Sequence, residues 1–428
     1  MTNKTLNSNS GNSPTVYRAS WVCPVDRAPI ENGFVEVDSD DRITNVGSIA
    51  DYQSPHQQII DLGDGAIIPG LINAHCHLEF SDLPSPLGQP GIRFTDWIRL
   101  IVKSRADSNE QSPAKKSNAI KQGIEQSVRS GVVGIGEICT SPFELADYDC
   151  QIPVSFIHFL EQLGSDEAKF KDQRDTLSRH LKMSNSNSAH DESMSGQAFG
   201  ASPHAPYSCH PKLVEQMCVL AAENNRIVAM HLAETKAERE LLDSQSGDFV
   251  ELLKDFGVWN PSVFPEDRSI LSTLATLSKC RSLIIHGNYL NDSELDFVAQ
   301  HRDRMTIVFC PRTHAFFEHD EYPLEKIFER KIQIAIGTDS LASNPDLDMF
   351  AELKEVARTF PSLSAEQILR LGTINGAAAI GFDSQLGTLT PGKNAALCFV
   401  QKNNSDPEKP INDWLLSPSS SCRRVIST

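Results

Sequence analysis

The sequence predicts a (β/α)8 barrel of the TIM type with a small β-sandwich domain formed from both chain ends. Three observations carry this. Eight short apolar runs rich in β-branched residues recur between residues 66 and 336, as parallel strands covered on both faces should. Stretches with helical spacing of apolar residues lie between them, which is the alternation of an α/β fold. Polar residues follow nearly every run, as a ring of βα loops would supply. That third feature favours the barrel over a doubly wound open sheet.

Residues 1–14 are rich in Asn, Ser and Thr without an apolar core, so they read as a disordered tail rather than a signal peptide. Segments 16–22, 33–37 and 42–46 alternate or carry turn signals such as Asp40-Asp41, and read as short antiparallel strands. Segment 387–400 is similar. The small domain is therefore assigned to 15–65 plus 385–428, and the barrel to 66–384. The barrel strands are expected at 66–74 (leading into His75), 132–135, 154–157, 198–201, 227–230, 283–285, 306–309 and 333–336. Helices are expected at 115–130, 211–224, 293–301 (with Asp292 as N-cap), 348–359 and 365–371. Segments 184–197 and 243–269 read as loop insertions, and no internal repeat is found.

A chain of 428 residues holds one barrel plus a satellite domain. Its hydrophobic content of 39% and charged content of 22% fit an ordinary soluble globular protein. The net charge of −17 repels phosphate backbones and argues against a nucleic-acid partner. The 10 cysteines include no CxxC pair and do not read as a disulfide framework; Cys76, between two histidines, would stay free in a reducing compartment. No apolar run reaches the ~20 residues of a membrane span, so no membrane partner is expected and the cytoplasm is the default location.

The sharpest local signal is His75-Cys76-His77 at the end of the first run. Alternate strand residues share a face, so both imidazoles point one way and can chelate one metal ion at the end of the barrel where active sites sit. Alone, the spacing is a weak signal, and two ordinary loop histidines are the commoner reading. The pattern repeats, however: His231 ends the fifth run, His286 the sixth, and Asp339 the eighth. Four strand ends carrying His or Asp are hard to ascribe to chance.

These residues resemble the amidohydrolase superfamily. Residues 69–78, spelling PGLINAHCHL, are similar to its first-strand signature. His231-Leu232-Ala233-Glu234-Thr235 and Gly337-Thr338-Asp339-Ser340 are similar to its fifth- and eighth-strand motifs. Asn375-Gly376-Ala377-Ala378-Ala379 and residues 387–393 resemble its C-terminal pattern, although Ala396-Leu397 replaces the usual Asp-Leu pair. The likeness spans about residues 15 to 400. The fourth strand ends Ser202-Pro203-His204, without the Lys or Glu that bridges two ions in two-metal members. The resemblance therefore implies one divalent ion, held by His75, His77, His231 and Asp339, with zinc the default and iron second. Single-metal members with this pattern are mostly purine and pyrimidine deaminases, and triazine dechlorinases share it.

The implied chemistry is hydrolytic. Three neutral imidazoles and a carboxylate leave a coordination position for water, whose pKa the cation lowers. Asp339 and His286 would orient that water and take its proton; His286 is alternatively a fifth ligand. Glu234 would protonate a ring nitrogen, unless it is a simple surface acid.

For the substrate, Pro203-His204-Ala205-Pro206-Tyr207-Ser208 resembles the His-Ser-Pro-Tyr loop of adenine-nucleoside deaminases, which makes His204 the first candidate contact. Residues 77–81 followed by 94–98 look more like bacterial aminodeoxyfutalosine deaminases, and Cys310-Pro311-Arg312-Thr313-His314 fits the same group loosely. Trp97 could stack on a base or be a barrel-top core aromatic. Glu79 and Arg312 could bind polar substrate groups or form structural ion pairs. The leading expectation is deamination of an adenine-type nucleoside (aminodeoxyfutalosine, 5′-deoxyadenosine or methylthioadenosine/S-adenosylhomocysteine class). The alternative is hydrolysis of a cyclic amide or an aryl halide such as a triazine at the same site. A non-catalytic scaffold is a remote third, since no expected ligand is missing. Relatives commonly form dimers, so a homodimer is also an expectation.

Overall fold

A computed structural model describes residues 14–53, 58–84, 86–107, 112–148, 153–183, 196–402 and 410–425. Most of the expected N-terminal tail and of the 184–197 insertion lies outside the described residues.

The chain begins with β1 (Thr15–Val22), β2 (Ile30–Val37), β3 (Ile43–Ser48), β4 (Gln58–Asp61) and β5 (Gly65–Pro69). Near the C-terminus it adds two more strands, Leu397–Gln401 and Ser421–Val425. The seven form one sheet around a core that includes Tyr17, Val35, Ile67, Leu397 and Phe399. The expected sandwich is thus built from one continuous sheet. Both chain ends contribute because the Leu397–Gln401 strand pairs antiparallel with β5.

The run at 66–74, expected as a single strand, is two strands in two sheets. β5 stays with the small sheet, and β6 (Leu71–Cys76) opens the barrel. The break falls at Gly70, where a Cβ would lie 2.4 Å from a Val133 methyl carbon. Only a residue without a side chain lets the chain cross from one sheet to the other at that point.

The barrel continues with β7 (Val132–Cys139), β8 (Ser155–Gln162), β9 (Gln197–Pro203), β10 (Ile227–Leu232), β11 (Arg281–His286), β12 (Met305–Phe309) and β13 (Gln333–Ile336). The eight strands are parallel, in sequence order. First and eighth meet through a bridge between Cys76 and Asp339, where the Asp339 N–H donates to the His75 carbonyl at 3.1 Å. Asn73 locks that seam: its amide donates to Thr338 Oγ1 at 2.8 Å and its carbonyl accepts the Thr338 N–H at 3.1 Å. Gly337 allows the approach, since a Cβ there would lie 2.6 Å from the His75 carbonyl oxygen. Ile72, Ala74, Ile157, Phe159, Ala229, Leu283 and Ile285 fill the interior.

Helices cover the outside. The expected 293–301 helix runs Asp292–Gln300, and its N-cap is Asn291 rather than Asp292. Asn291 Oδ1 accepts the Glu294 N–H at 3.0 Å while Glu294 returns to the Asn291 N–H at 2.8 Å, a reciprocal capping box that outcompetes the neighbouring acid. The 243–269 segment is not a plain loop. It contains the helix Asp248–Asp255, whose Phe249, Val250, Leu252 and Leu253 are buried. Among the described residues, no helix is long and apolar enough to cross a membrane, and the nine described cysteines are free.

Candidate active site

A cavity of about 630 Å³ opens at the C-terminal end of the barrel, with His77, His204, His231, Glu234, His286 and Asp339 among its lining. Its size suits a small molecule. Local backbone devices turn each of these groups inward. Along β6, Ile72 and Ala74 face the interior, and a register irregularity between Asn73 and Cys76 shifts the alternation. His75 and His77 then face the axis while Cys76 packs outside. On β10 the plain alternation Ile227, Ala229, His231 suffices. His286 and Asp339 instead adopt left-handed backbone, with φ of 68° and 59°. Such positions cost about 1–3 kcal/mol each and persist where surrounding structure fixes them.

The ligand atoms converge. His77 Nε2 lies 3.3 Å from His231 Nε2, and Asp339 Oδ1 lies 3.8 Å from both His75 Nε2 and His77 Nε2. Donors 2.0–2.2 Å from a shared centre sit about 3.3–3.6 Å apart in a tetrahedron, so the spacing fits a metal ion. His75 is fully buried, and neither of its ring nitrogens has a hydrogen-bond partner among the described residues. Buried imidazole nitrogens are rarely left so, and a bound cation would satisfy Nε2. His231 Nδ1 donates to the His204 carbonyl at 2.9 Å, which fixes its tautomer and presents Nε2 as a lone pair. Burial holds His75, His77, His231 and His286 below the usual histidine range, so all four are neutral and suited to bind a cation.

Glu234 sits beside this set, with Oε1 3.3 Å from His286 Nε2. Burial, then the charges of Asp339 and Glu238, push its carboxyl well above the usual range, which favours the protonated form. Glu238 fixes the strained loop from below by accepting the Ala233 N–H at 3.0 Å and the Glu234 N–H at 2.9 Å. His204 Nδ1 shares a hydrogen bond with Ser208 Oγ at 2.6 Å, which turns Nε2 away from this contact, and Ser208 Oγ also lies 3.2 Å from the Ala205 carbonyl. Trp97 lines the cavity, donates from Nε1 to the Ala342 carbonyl at 2.9 Å and packs on Phe94 and Phe317.

Two expected contacts are not brought to the cavity. Glu79 turns away on a short 3-10 turn, where it accepts from the Thr140 N–H at 2.9 Å and pairs with Lys116 at 2.6 Å. Arg312 pairs with Asp346 at 2.6 Å beside the buried Glu352. Both side chains are engaged by protein charges, and neither lines the cavity.

Two residues that sequence reading missed also matter. Glu161, one residue before the end of β8, is on the same face as Ile157 and Phe159, lines the cavity, and has a buried Oε1 without a hydrogen-bond partner among the described residues. Its ligand atom, with those of His204 and His231, forms a cluster within 4.8 Å. Glu161 and His204 both face the cavity beside His231. Glu137, at the end of β7, accepts the Leu78 N–H at 3.0 Å and lies 3.3 Å from Cys76 Sγ, clamping the turn that carries His75 and His77. Glu137→Ala is expected to weaken metal binding about 10–100-fold, as loss of outer-shell support does. Chelator competition measures this, and unchanged affinity would remove the clamp role.

The model described as the amidohydrolase family matches residues 66–419. The chain belongs to the amidohydrolase family. An aminodeoxyfutalosine deaminase of a Nitratiruptor species is 28% identical over 343 residues, 78% of each chain. A 5-methylthioadenosine/S-adenosylhomocysteine deaminase of Bacillus cereus is 27% identical over 410 residues, 90% of this chain and 84% of the relative. The crystal structure of Helicobacter pylori aminofutalosine deaminase in complex with methylthio-coformycin superposes with a TM-score of 0.79 at 21% identity, covering 96% of this chain and all of that one. At that identity the likeness establishes the fold. Amidohydrolases are metal-dependent, in keeping with the convergent histidines of this one.

Proposed function

We propose that this amidohydrolase deaminates a 5′-substituted adenine nucleoside by hydrolysis. The observation that carries the reading is the placement of Glu234: a buried carboxyl 3.3 Å from His286, beside a His/Asp ligand set, inside a cavity of nucleoside size. The similarity to the two deaminases above supports the same substrate class.

His75, His77, His231 and Asp339 would hold one divalent cation, zinc by preference and iron second. When bound, it acts as a Lewis acid and brings the pKa of a water toward neutrality. Asp339 accepts a proton from the attacking water, with its Oδ2 held by the Ser343 hydroxyl at 3.3 Å. Glu234 delivers its proton to the ring nitrogen next to the amino-bearing carbon, which makes that carbon electrophilic. A carbon–oxygen bond forms as the ring nitrogen is protonated. Asp339 then passes its proton to the amino group, the carbon–nitrogen bond breaks and ammonia leaves. The remaining hydroxyl proton restores Glu234, which His286 keeps in register. His204 and Glu161 accept hydrogen bonds from the bound nucleoside.

Metal-loaded protein offered adenosine, 5′-methylthioadenosine and a chlorotriazine is expected to release ammonia from the adenosines alone. Chloride from the triazine, without ammonia from any adenosine, would replace this reading with the aryl-halide alternative.

A further inference from the structure

Arg268 is only 5% exposed, and its guanidinium is spent on backbone carbonyls instead of a carboxylate. Nη1 donates to the Val263 carbonyl at 2.7 Å, and Nη2 donates to the Pro206 and Cys209 carbonyls at 2.6 Å each. The guanidinium carbon lies 4.8 Å from the Phe264 ring. Burial lowers the pKa of the group to about 10, so it stays charged at neutral pH. Burying a charge is costly, and it persists only where its donors are satisfied. Here two separate segments satisfy them, and both form cavity wall: Tyr207, Ser208 and Cys209 line it on one side of Arg268, Val263 and Phe264 on the other.

The two carbonyls held by Nη2 bracket Tyr207 and Ser208 in the turn that follows β9. Within that turn the Ser208 and Cys209 N–H groups donate to the Ala205 carbonyl at 3.1 and 3.0 Å. From the β8 side, the Gly164 N–H reaches the Ser208 carbonyl at 2.8 Å. Ser208 Oγ in turn meets His204 Nδ1 at 2.6 Å. The backbone of His204 is fixed independently of the turn. Its N–H donates to the Gln162 carbonyl at 3.1 Å, and its carbonyl accepts the His231 N–H at 3.0 Å. What the turn controls is therefore the His204 ring, while the strand backbone that carries His231 is held by its neighbours.

We propose that Arg268 is a positioning residue: by holding the 205–209 turn against segment 263–268 it fixes Ser208 and, through Ser208, the angle at which the His204 ring meets the substrate. The inference rests on the adenine-nucleoside reading, in which His204 contacts the nucleoside. It is tested by a double-mutant cycle in kcat/KM for 5′-methylthioadenosine, with wild-type protein, Arg268→Met, His204→Ala and the pair. Arg268→Met is expected to lower kcat/KM about 10–100-fold, as displacement of a contact by about 1 Å does, mostly through KM and with metal content unchanged. On the His204→Ala background the same substitution is expected to cost less than about 3-fold, because the group it positions is gone. Arg268→Lys keeps the charge but lacks the planar fork, so it recovers only part of the loss. If thermal unfolding shows that Arg268→Met does not fold, the cycle is run with Arg268→Lys and with Ser208→Ala, which cuts the same link at its other end. Equal losses on both backgrounds, or a wild-type KM in the variants, overturn the positioning role and leave the deaminase reading intact. Absence of turnover by the wild-type protein with adenosine and 5′-methylthioadenosine overturns both.

Discussion

Glu234→Gln is expected to lower kcat about 10²–10⁴-fold, the range for loss of a positioned general acid, with metal content unchanged. Glutamine keeps the shape and the backbone contacts, including the Glu234 N–H bond to Glu238 and the Asn288 amide bond to the Glu234 carbonyl. What it removes is a transferable proton. Glu234 belongs to none of the three clusters able to hold a metal ion among the described residues, so ligation should be untouched. Metal analysis beside steady-state kinetics separates the roles. Near wild-type turnover would end the proton-donor assignment, and metal loss would move Glu234 into the ligand set.

Asp339→Asn is expected to fail differently, by losing both metal and turnover. Oδ1 faces His75 and His77 at 3.8 Å, so exchanging it for a neutral amide removes the one anionic donor of the proposed four. Asparagine is among the few residues that tolerate left-handed backbone, so the φ of 59° is preserved and the fold should survive. We expect metal affinity to fall by about two orders of magnitude and kcat/KM by at least about 10³-fold, since ligand and proton acceptor are lost together. Dialysis against a chelator followed by metal titration gives the first quantity and saturating-metal kinetics the second. Normal metal content together with a normal rate would remove Asp339 from the site.

The contrast between the two variants also shows what could be read from the chain. His75, His77, His231, His286 and Asp339 were legible because each interrupts an apolar run where a buried strand stops, and a polar group there faces the barrel mouth. Glu161 was not, because His158 interrupts its strand first. His158 packs among Phe143, Tyr148 and Phe156 in the outer layer and meets Gln197 at 2.6 Å. The strand runs on past it, so the alternation through Phe159 brings Glu161 to the axis. For Glu79 and Arg312 the sequence left substrate contact and ion pairing open, because nearness to a motif does not fix where a long charged side chain points, and their partners Lys116 and Asp346 lie far from them in sequence. The two-sheet division at Gly70 was hidden because both strands are apolar and contiguous, and only the approach of Val133 separates them.

The most direct test of hydrolytic deamination is the mass of the nucleoside product when metal-loaded protein turns over 5′-methylthioadenosine in ¹⁸O-labelled water. Attack by water at the amino-bearing carbon requires one labelled oxygen in place of the ring amino group, an intact ribose and 5′ substituent, and one ammonia per product. Free adenine, or a nucleoside that keeps its amino group while another bond is cleaved, would contradict it.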